Sequence, residues 1–155
     1  MKIPGPDHPI TITANPKRVR ALFEGHEIAD SRAALTLQEA NYPPVQYFPR
    51  ADVAMEFLGR TAHSTHCPYK GDAAYFTITR DGKIAENKVW TYEEPYDAVG
   101  VIRGYVAFYA DAVEVVEADD GGDADAIRDA IEHTDSGSGQ SQLERWPATA
   151  TVPRE

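Results

Sequence analysis

The 155-residue chain has a single cysteine, Cys67. It therefore has no internal disulfide framework, and it fits a reducing compartment, the cytoplasm being the expected location. Long hydrophobic runs are missing as well. The longest, Tyr105 to Ala110, falls far below the roughly 18 residues of a membrane span. The opening Met-Lys-Ile-Pro-Gly-Pro has none of the apolar stretch of a signal peptide. Net positive charge is also lacking: the formal charge is −10 and the isoelectric point about 4.9. Such a surface repels phosphate backbones and anionic lipid, so neither nucleic acid nor membrane is an expected partner. The chain lacks a Walker-type or G-x-G-x-x-G loop, and it has no Ser-His-Asp or nucleophile-elbow pattern. No cofactor is expected.

What is present is ordinary globular composition, 42% hydrophobic and 26% charged. The length suits one domain and is too short for two. Charge is unevenly placed. Residues 119–155 hold nine acidic and three basic residues, with Asp119-Asp120-Gly121-Gly122 and Ser136-Gly137-Ser138-Gly139 as linker-like stretches. This segment is expected to be an acidic, largely disordered tail, with one short helix around Ala126–Ile131. Residues 1–118 are expected to form the folded, β-rich domain.

That domain reads as short strands. Ile10 and Ile12 alternate with threonine, and Val19, Ala21 and Phe23 alternate with polar partners up to a turn at Gly25-His26. Glu27–Ser31, Leu35–Leu37 and Val45–Phe48 follow, separated by Tyr42-Pro43-Pro44. Val53, Met55 and Phe57 recur at period two. Tyr105–Tyr109 and Val113–Glu117 are expected to pair as a hairpin around Ala110–Ala112. One short helix is expected over Tyr96–Arg103, after Pro95 and ending at Gly104. The fold class is mainly β and antiparallel.

Asp81-Gly82 suits a two-residue type I′ turn, because both central residues need positive φ. The implied register sets Arg80 opposite Lys83 and Gly71 opposite Tyr92. One face then carries Ala74, Phe76, Ile78, Ala85 and Val89 and belongs in the core. The other carries Tyr75, Lys88, Trp90 and Tyr92 among charges and hydroxyls. Two readings of that second face stand open: a semi-open ligand platform, or a surface covered by a second sheet. In either case the loop His66-Cys67-Pro68-Tyr69-Lys70-Gly71 should meet the strand end at Tyr92-Glu93-Glu94-Pro95.

Four segments carry a family resemblance: Tyr47-Phe48-Pro49-Arg50-Ala51-Asp52-Val53, Thr65-His66-Cys67-Pro68-Tyr69-Lys70-Gly71, Val89-Trp90-Thr91-Tyr92-Glu93-Glu94-Pro95, and Ile102-Arg103-Gly104-Tyr105-Val106-Ala107-Phe108-Tyr109. In this order and without large insertion, they resemble domain-of-unknown-function family 427 over about residues 8–118. The resemblance implies a β-tent, two small antiparallel sheets leaning together, as in B-type methionine sulfoxide reductases and the ligand-binding domain of cereblon. Those relatives hold zinc with four cysteines, a set that one cysteine cannot supply. Relatives of the fold also bind small ligands on the inner sheet surface. The family's nucleotidyltransferase-like label finds no support, since Gly137-Ser138 lies in the tail and precedes no carboxylate pair.

The expected function is therefore a small-molecule binding module. Tyr75, Lys88, Trp90 and Tyr92 would hold the ligand, with Arg50, Asp52, Arg103 and Lys70 around it. One alternative is an enzyme that uses Cys67 as nucleophile or redox group beside Lys70, whose charge could favour the thiolate. Another is a protein-interaction module that uses the aromatic face. Each of these residues also has a plain structural role open to it: Cys67 as a small buried hydrophobe, Lys70 paired with Glu93 or Glu94, Asp52 bonded to local backbone, and Arg103 on the helix C-terminus. His63, His66 and Cys67 are good zinc ligands, but five residues of one loop converge poorly on a metal, so no metal is expected.

Overall fold

Ten strands form where apolar and polar residues alternate in the computed structural model, which describes residues 1–118. They are β1 (Ile10–Ala14), β2 (Arg18–Phe23), β3 (His26–Ser31), β4 (Leu35–Glu39), β5 (Val45–Tyr47), β6 (Leu58–Cys67), β7 (Gly71–Arg80), β8 (Lys83–Thr91), β9 (Val106–Phe108) and β10 (Glu114–Ala118). The tail and its expected helix lie outside the described residues. The strands pair into three antiparallel sheets, β1-β4-β5, β10-β2-β3 and β6-β7-β8-β9. Two sheets were expected from the sequence. The third arises because β1, β4 and β5 pair only with one another.

The four-stranded sheet is the middle layer, and the period-two rule explains why both its faces are apolar. Phe76, Ile78 and Val89 point to a core shared with Val19, Ala21, Phe23 and Ile28 of the β10-β2-β3 sheet. Tyr75, Trp90, Tyr92 and Ala107 point the other way, into a core shared with Leu37, Val45 and Tyr47 of the β1-β4-β5 sheet and with Val99 and Ile102. The large rings drive this second core: burying an aromatic or aliphatic side chain contributes about 1.5–3 kcal/mol relative to leaving it in water.

Asp81 and Gly82 have φ of +54° and +79°, and Arg80 pairs with Lys83 as the turn chemistry dictates. The register then slips. Ile78 pairs with Ala85, but Phe76 pairs with Val89, so β8 carries two extra residues. The bulge includes Asn87, with φ +56°. Its amide is satisfied by Thr77 Oγ1 at 3.1 Å. A slip of two preserves which side chains share a face, so the expected face assignments hold while the pairing beyond the bulge shifts.

Other expectations need correction. Val53, Met55 and Phe57 do not form a strand. Arg50–Asp52 and Met55–Phe57 are 3-10 turns, and Val53 makes an isolated bridge to Ala29. β6 was not foreseen as a strand. β9 and β10 do not form a hairpin, because β9 pairs with β8 and β10 with β2. The turn closed by the amides of Ala112 and Val113 on the Tyr109 carbonyl carries the chain from one sheet to the other. The short helix is present as 3-10 turns, Asp97–Ile102, kinked at Val99.

Candidate functional site

The Cys-Pro-Tyr-Lys-Gly loop joins β6 to β7 and docks on the segment after β8. Tyr96 N–H donates to the Lys70 carbonyl at 3.0 Å. Gly71 lies beside the Glu94 carbonyl, 3.4 Å from where a Cβ would sit, and its φ of +110° is the feature that favours glycine here. The loop therefore meets the strand end as the sequence implied, with Gly71 beside Glu94 rather than Tyr92 because of the two-residue slip.

The expected site residues separate into four groups. Cys67, Lys70 and Tyr92 lie inside. Lys70 is fully buried and its ammonium donates to Glu39, itself 1% exposed, instead of to Glu93 or Glu94. Glu39 also contacts His8 Nε2 at 2.7 Å, and Tyr69 stacks on the His8 ring at 4.0 Å. Cys67 is fully buried. Burial raises its thiol pKa, against an opposing pull from Lys70. Burial likewise pushes the Tyr92 phenol well above its ordinary value, and its hydroxyl has no hydrogen-bond partner among the described residues.

Trp90, Tyr75 and Lys88 form a second group. Trp90 is fully buried, donates to the Tyr47 hydroxyl at 3.2 Å and packs 4.6 Å from the Tyr109 ring. The Tyr75 hydroxyl lies 2.9 Å from Thr65 Oγ1. Lys88 sits over Tyr109 and pairs with Asp111 at 2.8 Å. The open platform expected from Tyr75, Trp90 and Tyr92 is thus corrected. The β4-β5 strands and the Asp97–Ile102 turns cover those rings, as in the covered-sheet reading.

Asp52 stands apart, accepting from the Ser31 hydroxyl at 2.7 Å and so tying the first 3-10 turn to the end of β3. The three prospective metal ligands diverge. His63 packs edge-on to Tyr75, His66 bonds Asp72, and Cys67 points into the second core. Among the described residues no three His, Cys, Asp or Glu side chains gather to hold a metal.

Arg50 and Arg103 make up the last group, and they converge on Glu93. Arg103 Nη1 donates to the Glu93 backbone carbonyl at 3.3 Å, and Arg50 Nη2 stands 3.9 Å from Glu93 Oε2. Arg60 of β6 adds a bidentate pair, 2.6 and 2.9 Å, to the same carboxylate. Those hydrogen bonds hold the Glu93 carboxyl below its usual range.

Beside this cluster lies a cleft of about 290 Å³, lined by Arg60, Ser64, Asp72, Ala74, Glu93 and Tyr96, among others. Strand pairing explains it. Arg60 opposes Phe76, Ser64 opposes Ala74, and His66 opposes Asp72, so all share one face. That face is core at Phe76 and runs out beyond the covering sheet from Ala74 onward, leaving a small apolar floor between polar walls. Arg60 and Ser64 were missed because β6 was missed. Glu39 had a legible signal, since β4 alternation puts it on the side of Leu37.

Residues 11–119 match the domain of unknown function DUF427. The chain belongs to that family. No curated protein matches it. The DUF427 match covers the loop, both sides of the cleft and all three arginines. Among the described residues no helix is long and apolar enough to cross a membrane.

Proposed function

We propose that this DUF427 protein is a small-molecule binding module whose site is the cleft between β6-β7 and the Glu93–Tyr96 segment. One observation carries the reading: the core face of the middle sheet extends past its covering layer into a concave floor ringed by charged, hydroxyl and aromatic groups. Pockets of this kind combine apolar contact with a few orienting polar groups, and their usual volumes begin near 300 Å³. The ligand is therefore a small metabolite. The full burial of the Cys67 sulfur and its raised pKa favour binding over a Cys67 nucleophile. The buried Trp90 and Tyr92 rings leave little aromatic surface for a protein partner. A buried cysteine, the chain's only one, fits a reducing cytosol.

The test is thermal stabilisation of the full chain by a metabolite library, repeated with Ser64→Trp, which would fill the cleft from its exposed strand. Ligands should stabilise the native chain, by about 2.7 kcal/mol at a hundredfold excess over Kd, and leave the variant unmoved. Equal stabilisation of both proteins would place binding elsewhere.

A further inference from the structure

Arg50 has a vacant recognition edge. Among the described residues its Nε and Nη2 have no hydrogen-bond acceptor, although both atoms are shielded from water. These two N–H groups point the same way from one side of the planar guanidinium, the edge that grips a carboxylate or phosphate with two parallel bonds. The same edge is used fully elsewhere in this chain, where Arg18 Nε and Nη2 both donate to Asp30. Arg50 is also held in place: it follows Pro49 at the start of a 3-10 turn, and its guanidinium lies 5.7 Å from the centre of the Phe76 ring.

The nearest acceptor carboxylate recorded for that edge is Glu93, and it falls short. Glu93 Oε2 is 3.9 Å from Arg50 Nη2, beyond hydrogen-bond reach. Its two oxygens are instead taken by Arg60. Two guanidiniums, Arg60 and Arg50, thus flank one carboxylate, and a third, Arg103, holds the Glu93 backbone carbonyl, in a chain of net charge −10. The other lining acids do not compete for Arg50: Asp72 bonds His66, and Glu94 is exposed. The Arg60–Glu93 pair is itself exposed, 55% and 39%. Water screens a pair so exposed, which limits what even its bidentate geometry contributes.

We infer that the cleft receives a small molecule through a carboxylate or phosphate group gripped by the Nε–Nη2 edge of Arg50, and that Glu93 is the resident carboxylate which that group displaces. The inference rests on the binding-module reading. Glu93 is the cleft wall in front of Arg50. When it swings aside with Arg60, the arginine edge opens onto the cleft floor, and the incoming anion satisfies donors that have no partner among the described residues.

The test uses the ¹⁵N-labelled full chain titrated with inorganic phosphate and, separately, succinate. The Arg50 Nε–H signal and the amides of Ser64, Asp72 and Tyr96 report binding. One or both anions should shift these signals, and the stronger of the two identifies the group. Glu93→Gln removes the competing charge and should tighten binding about tenfold. Arg50→Lys keeps the charge but loses the edge, and should weaken binding at least tenfold with the fold intact. Unchanged affinity in either variant overturns the inference. If only an amine or a neutral amide probe shifts those amides, the anion class is wrong and the binding site stands. If no probe of any charge shifts them, both fail.

Discussion

Lys70 and Glu39 stand 31 residues apart in sequence and meet as an ion pair, 0% and 1% exposed, that joins the Cys-Pro-Tyr-Lys-Gly loop to the end of β4. This bond fixes the loop against the β1-β4-β5 sheet on one side. The Tyr96 amide on the Lys70 carbonyl fixes it to the cleft on the other. The lysine of the motif is therefore an anchor for the loop that borders the site.

Removing one partner should strand a buried charge. Lys70→Met is expected to cost about 3–5 kcal/mol in urea denaturation. Lys70→Met combined with Glu39→Leu should recover most of that loss, because two apolar side chains remove both charges together and His8 can turn to water. A double variant no more stable than the single one would mean that the pair contributes net attraction.

Cys67 should behave as an inert core side chain. Its sulfur is buried and its pKa raised, so the native protein should react with iodoacetamide at pH 7.5 far more slowly than the urea-unfolded chain does. Fast native alkylation, saturating near neutral pH, would restore the nucleophile reading.

Trp90 should report the second core. Trp90→Ala deletes the largest fully buried side chain among the described residues and is expected to destabilise by about 3–5 kcal/mol, measured by denaturant midpoint. Iodide should quench Trp90 weakly in a Trp146→Phe background. Strong quenching would mean that the ring is open to solvent.

Asp30 supplies a pH dependence. Its hydrogen bonds from Arg18 lower its pKa from the ordinary 3.8. A depressed carboxylate stabilises the fold above the unfolded pKa, and that contribution is lost as pH falls through the folded value. Asp30→Asn should therefore cost about 1 kcal/mol at pH 7, the scale of a partly exposed pair, and progressively less below pH 4. A cost that stayed constant down to pH 2 would assign the effect to packing.

Parts of this arrangement were legible because they rest on local chemistry. Asp81-Gly82 dictated a type I′ turn, period two sorted Phe76 from Tyr75, and the turn carried the cysteine loop to the end of β8. β6 escaped because its residues are mostly exposed on both faces, as an edge strand permits, so Leu58–Cys67 shows no alternation. The Asn87 bulge escaped because a slip of two leaves the face pattern unchanged. The covering of Trp90 and Tyr92 depended on which strands pair with β4, a long-range choice that composition does not encode. Glu39 was overlooked as the partner of Lys70 for the same reason: acids nearer in the loop's own sheet looked sufficient.

The cleft is the claim on which the functional account stands, and amide chemical-shift mapping of the full chain against a small-metabolite library tests it most directly. The account predicts that ligand-induced shifts cluster on Ser64, Gly71, Asp72, Ala74 and Tyr96, across the two strands and the facing segment. Shifts gathered around His63 and Tyr109 instead, or none from any ligand, would contradict it.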